Sequence, residues 1–254
     1  EFYERLRPLV RKKAALDFSQ MQEAKRRDIG NPNAVLKPWD FGYYMERMRL
    51  EHYAVDSQAV QEYFPIEKVK AGLFGITQSL YGIEYRLLAA PDDAPFWHED
   101  VEWYEVIDTS DGRTLGEFYM DLHPRENKYG HAAQWGLHPR RVGPEGDIAT
   151  PVAGLVCNFT KPTADKPSLL THDEAETFFH EFGHCLHTIL TESQYATFAG
   201  TSVERDFVEA PSQMFEHWVW DPEVLATFTG HYETDEPIPA DMLAGMIAAK
   251  DLCS

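Results

Sequence analysis

The sequence predicts a mainly α-helical fold with a small β-sheet inserted between helices, beside a candidate site. Two observations support this prediction. Apolar residues recur at helical spacing over residues 1–82 and 161–254, whereas alternating aromatic and β-branched residues dominate residues 83–160. We expect the three regions to form a single domain covering residues 1–254.

The first region should be helical throughout its length. A helix-like period over residues 1–27 is interrupted by Pro8, which predicts one or two helices there. Pro38-Trp39-Asp40 begins a second helical stretch. Another helix follows Pro65 and should stop near Gly82.

The middle region carries strand signals. Residues 101–108 and 114–122 flank a Thr-Ser-Asp-Gly turn at 109–112, which predicts a β-hairpin. Residues 131–137 and 151–159 can supply two more strands. Beyond this sheet the helical period returns and persists to the end of the chain.

Charge and cysteine content limit the classes of partner. The 42 Asp and Glu outweigh 23 Lys and Arg, and the net charge of -19 repels phosphate backbones and anionic membranes. We therefore expect neither nucleic acid nor membrane as a partner, and no apolar run approaches the roughly 18 residues of a bilayer span. The three scattered cysteines fit reduced thiols and a cytoplasmic location. The oligomeric state stays unknown.

The most informative segment lies between Thr171 and His184. Thr171 and Glu174 form a capping-box pattern, which predicts the start of a helix. On that helix His180 and His184 lie one turn apart, about 6 Å between their side-chain origins, so both imidazoles can reach one metal ion. Glu181 is rotated about 100° from His180 and can instead reach a water at that metal.

This division of roles is typical of a zinc hydrolase. The metal lowers the pKa of its bound water from 15.7 to about 7, and the carboxylate takes the water's proton and passes it to the leaving amine. The motif therefore predicts a single Zn²⁺ as cofactor and water as the nucleophile.

A catalytic zinc ion usually has three protein ligands. His187 shares the stripe of His184, but it lies about 10.5 Å along the axis from His180, too far for convergence. A better source is residues 203–216, whose apolar stripe predicts a second helix, kinked at Pro211 and packed against the first. Spacing alone leaves four acids open as the ligand: Glu204, Asp206, Glu209 and Glu216.

Short segments along essentially the whole chain carry a family resemblance. They include Pro38-Trp39-Asp40-Phe41, Tyr63-Phe64-Pro65, Trp97-His98, Gly116-Glu117-Phe118-Tyr119-Met120-Asp121, His131-Ala132-Ala133 and Phe207-Val208-Glu209-Ala210-Pro211-Ser212-Gln213. Together with the histidine motif, they make the sequence resemble the thimet oligopeptidase, oligopeptidase A and peptidyl-dipeptidase family of zinc metallopeptidases.

The resemblance implies a helical metallopeptidase whose active site lies deep in a channel that admits short peptides. It also implies that His180, His184 and Glu209 are the zinc ligands, with Glu181 as general base. From spacing, we expect Asp206 to accept a hydrogen bond from the non-ligating nitrogen of a zinc-bound histidine.

The predicted sheet resembles the family's peptide-aligning sheet. Residues 152–159 are the candidate edge strand, which makes Gly154 and Val156 candidate substrate contacts. His131 is a further candidate contact. The alternative is that residues 152–159 form an ordinary buried strand.

The family also uses a histidine and several tyrosines downstream of the glutamate ligand to stabilise the oxyanion, and this chain ends before them. We therefore expect a catalytic-domain fragment of a longer chain that binds zinc and hydrolyses peptides poorly. The alternative is a non-catalytic peptide-binding domain with a structural zinc. The sequence does not distinguish an endo-oligopeptidase from a peptidyl-dipeptidase.

Overall fold

A computed structural model describes residues 1–91, 96–250 and 252. These residues divide into two compact units, one built from residues 1–60 with the described residues from 238 onward, the other from residues 61–237. The predicted combination of many helices and a small sheet is confirmed. The prediction of a single catalytic-domain fragment stays a prediction.

The secondary structure follows the predicted order of helices, strands and helices. The helices are α1 (Phe2–Asp28), α2 (Phe41–Tyr53), α3 (Ser57–Gln61), α4 (Ile66–Tyr81), α5 (His172–Ile189), α6 (Ala210–Glu216), α7 (Pro222–Phe228) and α8 (Ala240–Ala249). The strands are β1 (Ile83–Leu88), β2 (Glu102–Asp108), β3 (Thr114–Asp121), β4 (Ala133–His138), β5 (Arg141–Val142), β6 (Ile148–Ala149) and β7 (Val152–Val156). None of the described helices combines the length and apolarity that a bilayer crossing requires.

The first unit consists mainly of α1, α2 and α8. Helix α1 runs through Pro8 without a break, so the N-terminal stretch forms one helix. A proline costs its helix one backbone donor, and neighbouring turns can keep the helix continuous around it. The core of this unit is a small buried cluster: Met21, Ala24, Leu36, Tyr44 and Met48.

The second unit is organised around a five-stranded mixed sheet in the order β1-β2-β3-β7-β4. The predicted hairpin is present as β2 and β3, and the two further strands are present as β7 and β4. Strand β1 extends the sheet beyond the hairpin by pairing with β2. Helix α4 leads into β1 and ends where predicted, at Gly82, which adopts a left-handed conformation with φ +63°.

The prediction that residues 152–159 form an edge strand is wrong. Strand β7 lies inside the sheet, parallel to β3 on one side and antiparallel to β4 on the other. Ala153, Gly154 and Leu155 of β7 are all buried, so both faces of the strand are covered. Such burial is typical of a strand in the interior of a sheet. On this side of the sheet the edge strand is β4.

One face of the sheet packs against α4 and α5 through aromatic side chains. Phe118 of β3 lies 5.5 Å from Phe182 of α5 between ring centroids, and Phe74 of α4 lies 5.8 Å from Phe182. Phe118 and Phe182 are fully buried, and burying one such side chain is worth about 1.5–3 kcal/mol. This packing fixes the apolar face of α5 against the sheet.

The second predicted helix is shorter than expected. Residues 205–209 form turns, and α6 begins only at Ala210 with Glu209 as the residue before its first turn. Pro211 therefore lies in the first turn of a helix and does not kink one. Proline is favoured there because it has no N–H to leave unpaired and its φ is already helical. The prediction of a helix over 203–209 is wrong.

Two of the cysteines are buried free thiols in the second unit. Cys157 and Cys185 have no exposed surface, and burial raises the pKa of both thiols. This agrees with the predicted reduced state. Cys253 lies outside the described residues.

Candidate metal centre

Helix α5 starts with the predicted capping box. The Glu174 backbone N–H donates to Thr171 Oγ1 at 3.0 Å, and the Thr171 N–H donates to Glu174 Oε2 at 2.8 Å. The buried ring of Phe182 faces the sheet, and His180 and His184 lie on another side of the helix. The capped N-terminus and the packed face thus set the orientation of both imidazoles.

The two imidazoles converge on one carboxylate oxygen. Their ring centroids lie 4.9 Å apart. Glu209 Oε2 lies 3.0 Å from His184 Nε2 and 3.4 Å from His180 Nε2. One ligand atom from each of the three residues lies within 4.8 Å of the others, and these residues form a candidate metal-binding group.

A close approach of α5 and α6 brings Glu209 to the histidines. Gly183 lies between the two histidines on α5, and a Cβ built there would fall 2.7 Å from Ser212 Cα and 3.2 Å from the Pro211 carbonyl oxygen. Both contacts are to backbone, which cannot swing aside as a side-chain end can. Only glycine at position 183 therefore permits this spacing of the two helices.

The Glu209 carboxylate is held on the side of the histidines. Ser212 Oγ donates to Glu209 Oε2 at 2.9 Å. Partial burial by itself raises the pKa of the Glu209 carboxyl, but the Ser212 hydrogen bond and the neighbouring His184 and His180 outweigh it and bring the pKa below its ordinary value. The side chain is 49% exposed, so this electrostatic effect is partly screened by solvent.

The donor set fits a zinc ion in chemistry, and the two distances from the Glu209 oxygen fit it in size. Two imidazole nitrogens and one carboxylate oxygen are typical zinc ligands, with bonds of about 2.0–2.2 Å. Ligand atoms bound at those lengths to a tetrahedral ion lie about 3.3 Å from one another. The Glu209 oxygen lies at 3.0 and 3.4 Å from the two nitrogens, close to that spacing.

Glu181 lies outside the donor group, as its rotation on the helix predicts. Its Oε2 accepts a hydrogen bond of 2.9 Å from the backbone N–H of Gln134 in β4. The Gln134 side chain also donates to Thr188 Oγ1 on the same helix, at 3.1 Å. The edge strand is therefore attached to α5 beside the two histidines.

The acid that contacts the non-converging nitrogen of His180 is Glu216. Its Oε1 lies 2.6 Å from His180 Nδ1, and an imidazole N–H donating there leaves Nε2 free to bind a metal. Asp206 was predicted for this position. It is exposed in the turns before α6, and the described contacts place it on neither histidine.

The remaining candidate ligands lie outside the converging group. Glu204 is exposed in the turn region. His187 lies near Phe207, with 6.2 Å between ring centroids, and its Nδ1 is buried with no partner among the described residues. Burial and the neighbouring His184 lower the pKa of His187.

The candidate substrate contacts lie on two segments, strand β7 and the loop before β4. Gly154 is buried in β7, where the neighbouring strands use the backbone hydrogen-bonding groups on both sides. Val156 is half-buried at the end of the same strand. His131 is exposed in the loop before β4, with its ring 5.6 Å from that of Tyr129. An internal strand cannot pair with an added peptide, so among the described strands on this side of the sheet an added peptide could pair only with β4.

Sequence reasoning missed three residues of this site. Gly183 carried a readable signal, because an isolated glycine inside a helical pattern often marks a close packing contact. Ser212 and Gln134 gave no such signal. The Gln134 contribution is a backbone N–H, which every residue except proline has.

Fold and donor geometry together define a helical protein with a candidate mononuclear metal centre next to a sheet edge. Comparison with known proteins gives its family. The family model "Peptidase family M3" matches residues 1–254. The chain therefore belongs to peptidase family M3.

Individual relatives agree with this assignment. The chain is 44% identical to the thimet-like oligopeptidase of Dictyostelium discoideum over 99% of its own length and 38% of the relative's. It is 39% identical to oligopeptidase A of Escherichia coli, covering 99% and 36% of the two chains. It is 38% identical to saccharolysin of Saccharomyces cerevisiae over 97% of its own length and 35% of the relative's. The chain thus spans little more than a third of these relatives' lengths.

Proposed function

We propose that this chain forms the zinc-binding part of a metallopeptidase that hydrolyses short peptides. The observation that carries the proposal is the convergence of His180, His184 and Glu209 within 4.8 Å, with Glu181 next to the two histidines on α5. Membership of peptidase family M3 and the names of the oligopeptidase relatives support the substrate class.

The proposed ligands are His180 Nε2, His184 Nε2 and the Glu209 carboxylate. A bound zinc ion supplies Lewis acidity at this point, which polarises a peptide carbonyl and makes water acidic enough to attack at neutral pH. Glu216 holds the proton on His180 Nδ1 and so keeps Nε2 available to the metal. Ligand identity favours zinc, because imidazole and carboxylate are its usual donors.

Glu181 is the proposed general base. The Gln134 N–H holds its Oε2, which orients the carboxylate and leaves Oε1 to accept a proton from water. The protonated carboxyl then donates this proton to the nitrogen of the leaving amine as the peptide bond breaks. The outer edge of β4 lies beside this carboxylate. Apart from the Gln134 N–H, which Glu181 uses, the backbone groups of this edge can pair with an extended peptide.

Glu181→Gln in the full-length protein tests the proposal. The variant keeps the size of the side chain and its acceptor for the Gln134 N–H, but it can no longer accept a proton. We expect hydrolysis of a fluorogenic peptide to fall by a factor on the order of 10²–10⁴, with unchanged zinc content.

Glu145→Gln is the matched control, because Glu145 is exposed in the loop between β5 and β6. It should keep full activity and full zinc content. A wild-type protein that binds peptides without cleaving them, or a Glu181→Gln variant that cleaves at the wild-type rate, would refute the assignment.

A further inference from the structure

The Ser212 hydroxyl lies at an unusual point of the site. Ser212 is completely buried, and its Oγ is 2.9 Å from Glu209 Oε2 and 2.9 Å from the Glu209 carbonyl oxygen. The same Oε2 is the atom that faces both histidine nitrogens. The hydroxyl has one proton for these two oxygens, and the charged carboxylate is the stronger acceptor. A carboxylate oxygen has two lone pairs, so Oε2 can accept from Ser212 and still offer a lone pair to a metal.

The backbone N–H groups at the start of α6 are alternative hydrogen-bond donors for the Glu209 carboxylate. Glu209 directly precedes α6, where a side-chain oxygen commonly accepts from the free backbone N–H groups of the first turn. The Glu209 side chain makes no such capping bond. Pro211 contributes to this, because it removes one of the first-turn donors.

We propose that Ser212 is a positioning residue for metal binding, an inference that rests on the zinc site proposed above. Its hydroxyl holds the Glu209 carboxylate on the side of α6 that faces α5. Oε2 then stands between His180 Nε2 and His184 Nε2 before the ion arrives. The ion therefore meets a preorganised donor set, and its affinity rises because less ordering of Glu209 accompanies binding.

Close packing around Ser212 holds its hydroxyl in one position. The Cα of Ser212 faces Gly183 of α5 so closely that no Cβ fits between them. The serine backbone is thus clamped in the contact between the two helices that carry the three donors. A donor held this rigidly constrains its acceptor more than a mobile surface hydroxyl does.

Zinc affinity of the Ser212→Ala variant tests this role. Competition with a chromophoric chelator should show that zinc binds about 10- to 100-fold more weakly than to the wild type, the range typical for outer partners of metal ligands. Ser212→Gly also lacks the hydroxyl and should show a loss of the same size, which provides a second measurement should the alanine variant fail to fold.

Ser168→Ala is the matched control, because Ser168 is equally buried in the same unit and its Oγ donates to the Thr160 carbonyl at 2.6 Å. It should bind zinc like the wild type. A second control repeats Ser212→Ala in a Glu209→Ala background. There the serine should have no further effect on zinc affinity, because its acceptor is gone.

The possible outcomes separate the two proposals. A wild-type protein without specific zinc binding overturns the metal site itself. Tight wild-type binding that Ser212→Ala leaves unchanged overturns only the positioning role. The same holds if Ser168→Ala weakens binding equally, or if the loss persists without the Glu209 carboxylate, since both results indicate general destabilisation.

Discussion

Among single residues, Glu216 makes the most direct contact with a proposed ligand. Its Oε1 lies 2.6 Å from His180 Nδ1 and fixes which ring nitrogen points toward Glu209. Replacing it by alanine leaves His180 free to rotate or to change tautomer. We expect Glu216→Ala to lower zinc affinity about 10- to 100-fold, measured by chelator competition at neutral pH.

Glu223→Ala is the matched control for that measurement. Glu223 is exposed at the start of α7, so its removal should leave zinc affinity unchanged. Equal affinities for the Glu216→Ala variant and the wild type would show that this hydrogen bond does not orient His180.

Asp121 is the strongest candidate for a structural charge in the second unit. Its carboxylate accepts two hydrogen bonds from Arg125, at 2.7 and 2.8 Å, and one from Trp97 at 2.9 Å, and it pairs with Lys128 at 2.9 Å. Burial by itself raises the pKa of Asp121, but these donors outweigh it and hold the pKa far below its ordinary range. The ionised carboxylate is therefore stabilised by folding.

Because folding lowers the pKa of Asp121, its contribution to the free energy of unfolding should decrease as the pH falls. The stabilisation is fully present above the unfolded pKa of about 3.9 and is lost as the pH falls below it toward the folded pKa. Asp121→Asn should lower the free energy of unfolding at neutral pH by about 3 kcal/mol or more. In urea unfolding the difference from the wild type should shrink below about pH 4, because Asp121 of the unfolded wild type then binds a proton that the folded protein does not bind.

Asp111→Asn serves as the control, because Asp111 is exposed in the hairpin turn. It should change the free energy of unfolding by no more than about 0.5 kcal/mol. A difference between the wild type and Asp121→Asn that stays constant from neutral to acidic pH would contradict this account of Asp121.

At the scale of elements, the spacing of α5 and α6 controls the candidate site. Gly183→Ala would place a Cβ 2.7 Å from Ser212 Cα, so the two helices must separate. We expect destabilisation of about 1–3 kcal/mol, as for overpacked cores. We also expect weaker zinc binding, because Glu209 moves with α6. Thermal unfolding with and without added zinc measures both effects.

Gly75→Ala in α4 is the matched glycine control. A Cβ at position 75 meets nothing within 4 Å, so alanine should stabilise the helix by about 0.5–1 kcal/mol. If Gly183→Ala behaved like Gly75→Ala in stability and zinc binding, the close helix contact would not matter for the site.

Elements with local signals were predictable from the sequence. The capping box fixed the start of α5, and the Gly-containing turn indicated the hairpin of β2 and β3. The position of β7 inside the sheet was not predictable, because strand order depends on pairing between distant segments. The start of α6 was missed because the apolar stripe before it suggested a helix, whereas Pro211 favours a first turn.

For the whole molecule, the sequence predicted the combination of helices and a small sheet, and the family resemblance was confirmed. Spacing alone could not choose among the acids between residues 204 and 216. That choice depends on how closely two helices approach, which Gly183 and Ser212 determine through backbone contacts. The predicted cytoplasmic location and the absence of nucleic-acid or membrane partners stay predictions.

We propose that His180, His184 and Glu209 together hold one zinc ion. The most direct test is anomalous diffraction at the zinc edge from crystals of the purified protein, combined with metal analysis of the same sample. We expect one zinc per chain and one peak about 2.0–2.2 Å from both Nε2 atoms and from a Glu209 carboxylate oxygen. A metal-free protein after zinc exposure, or a peak bound by other residues, would contradict the claim.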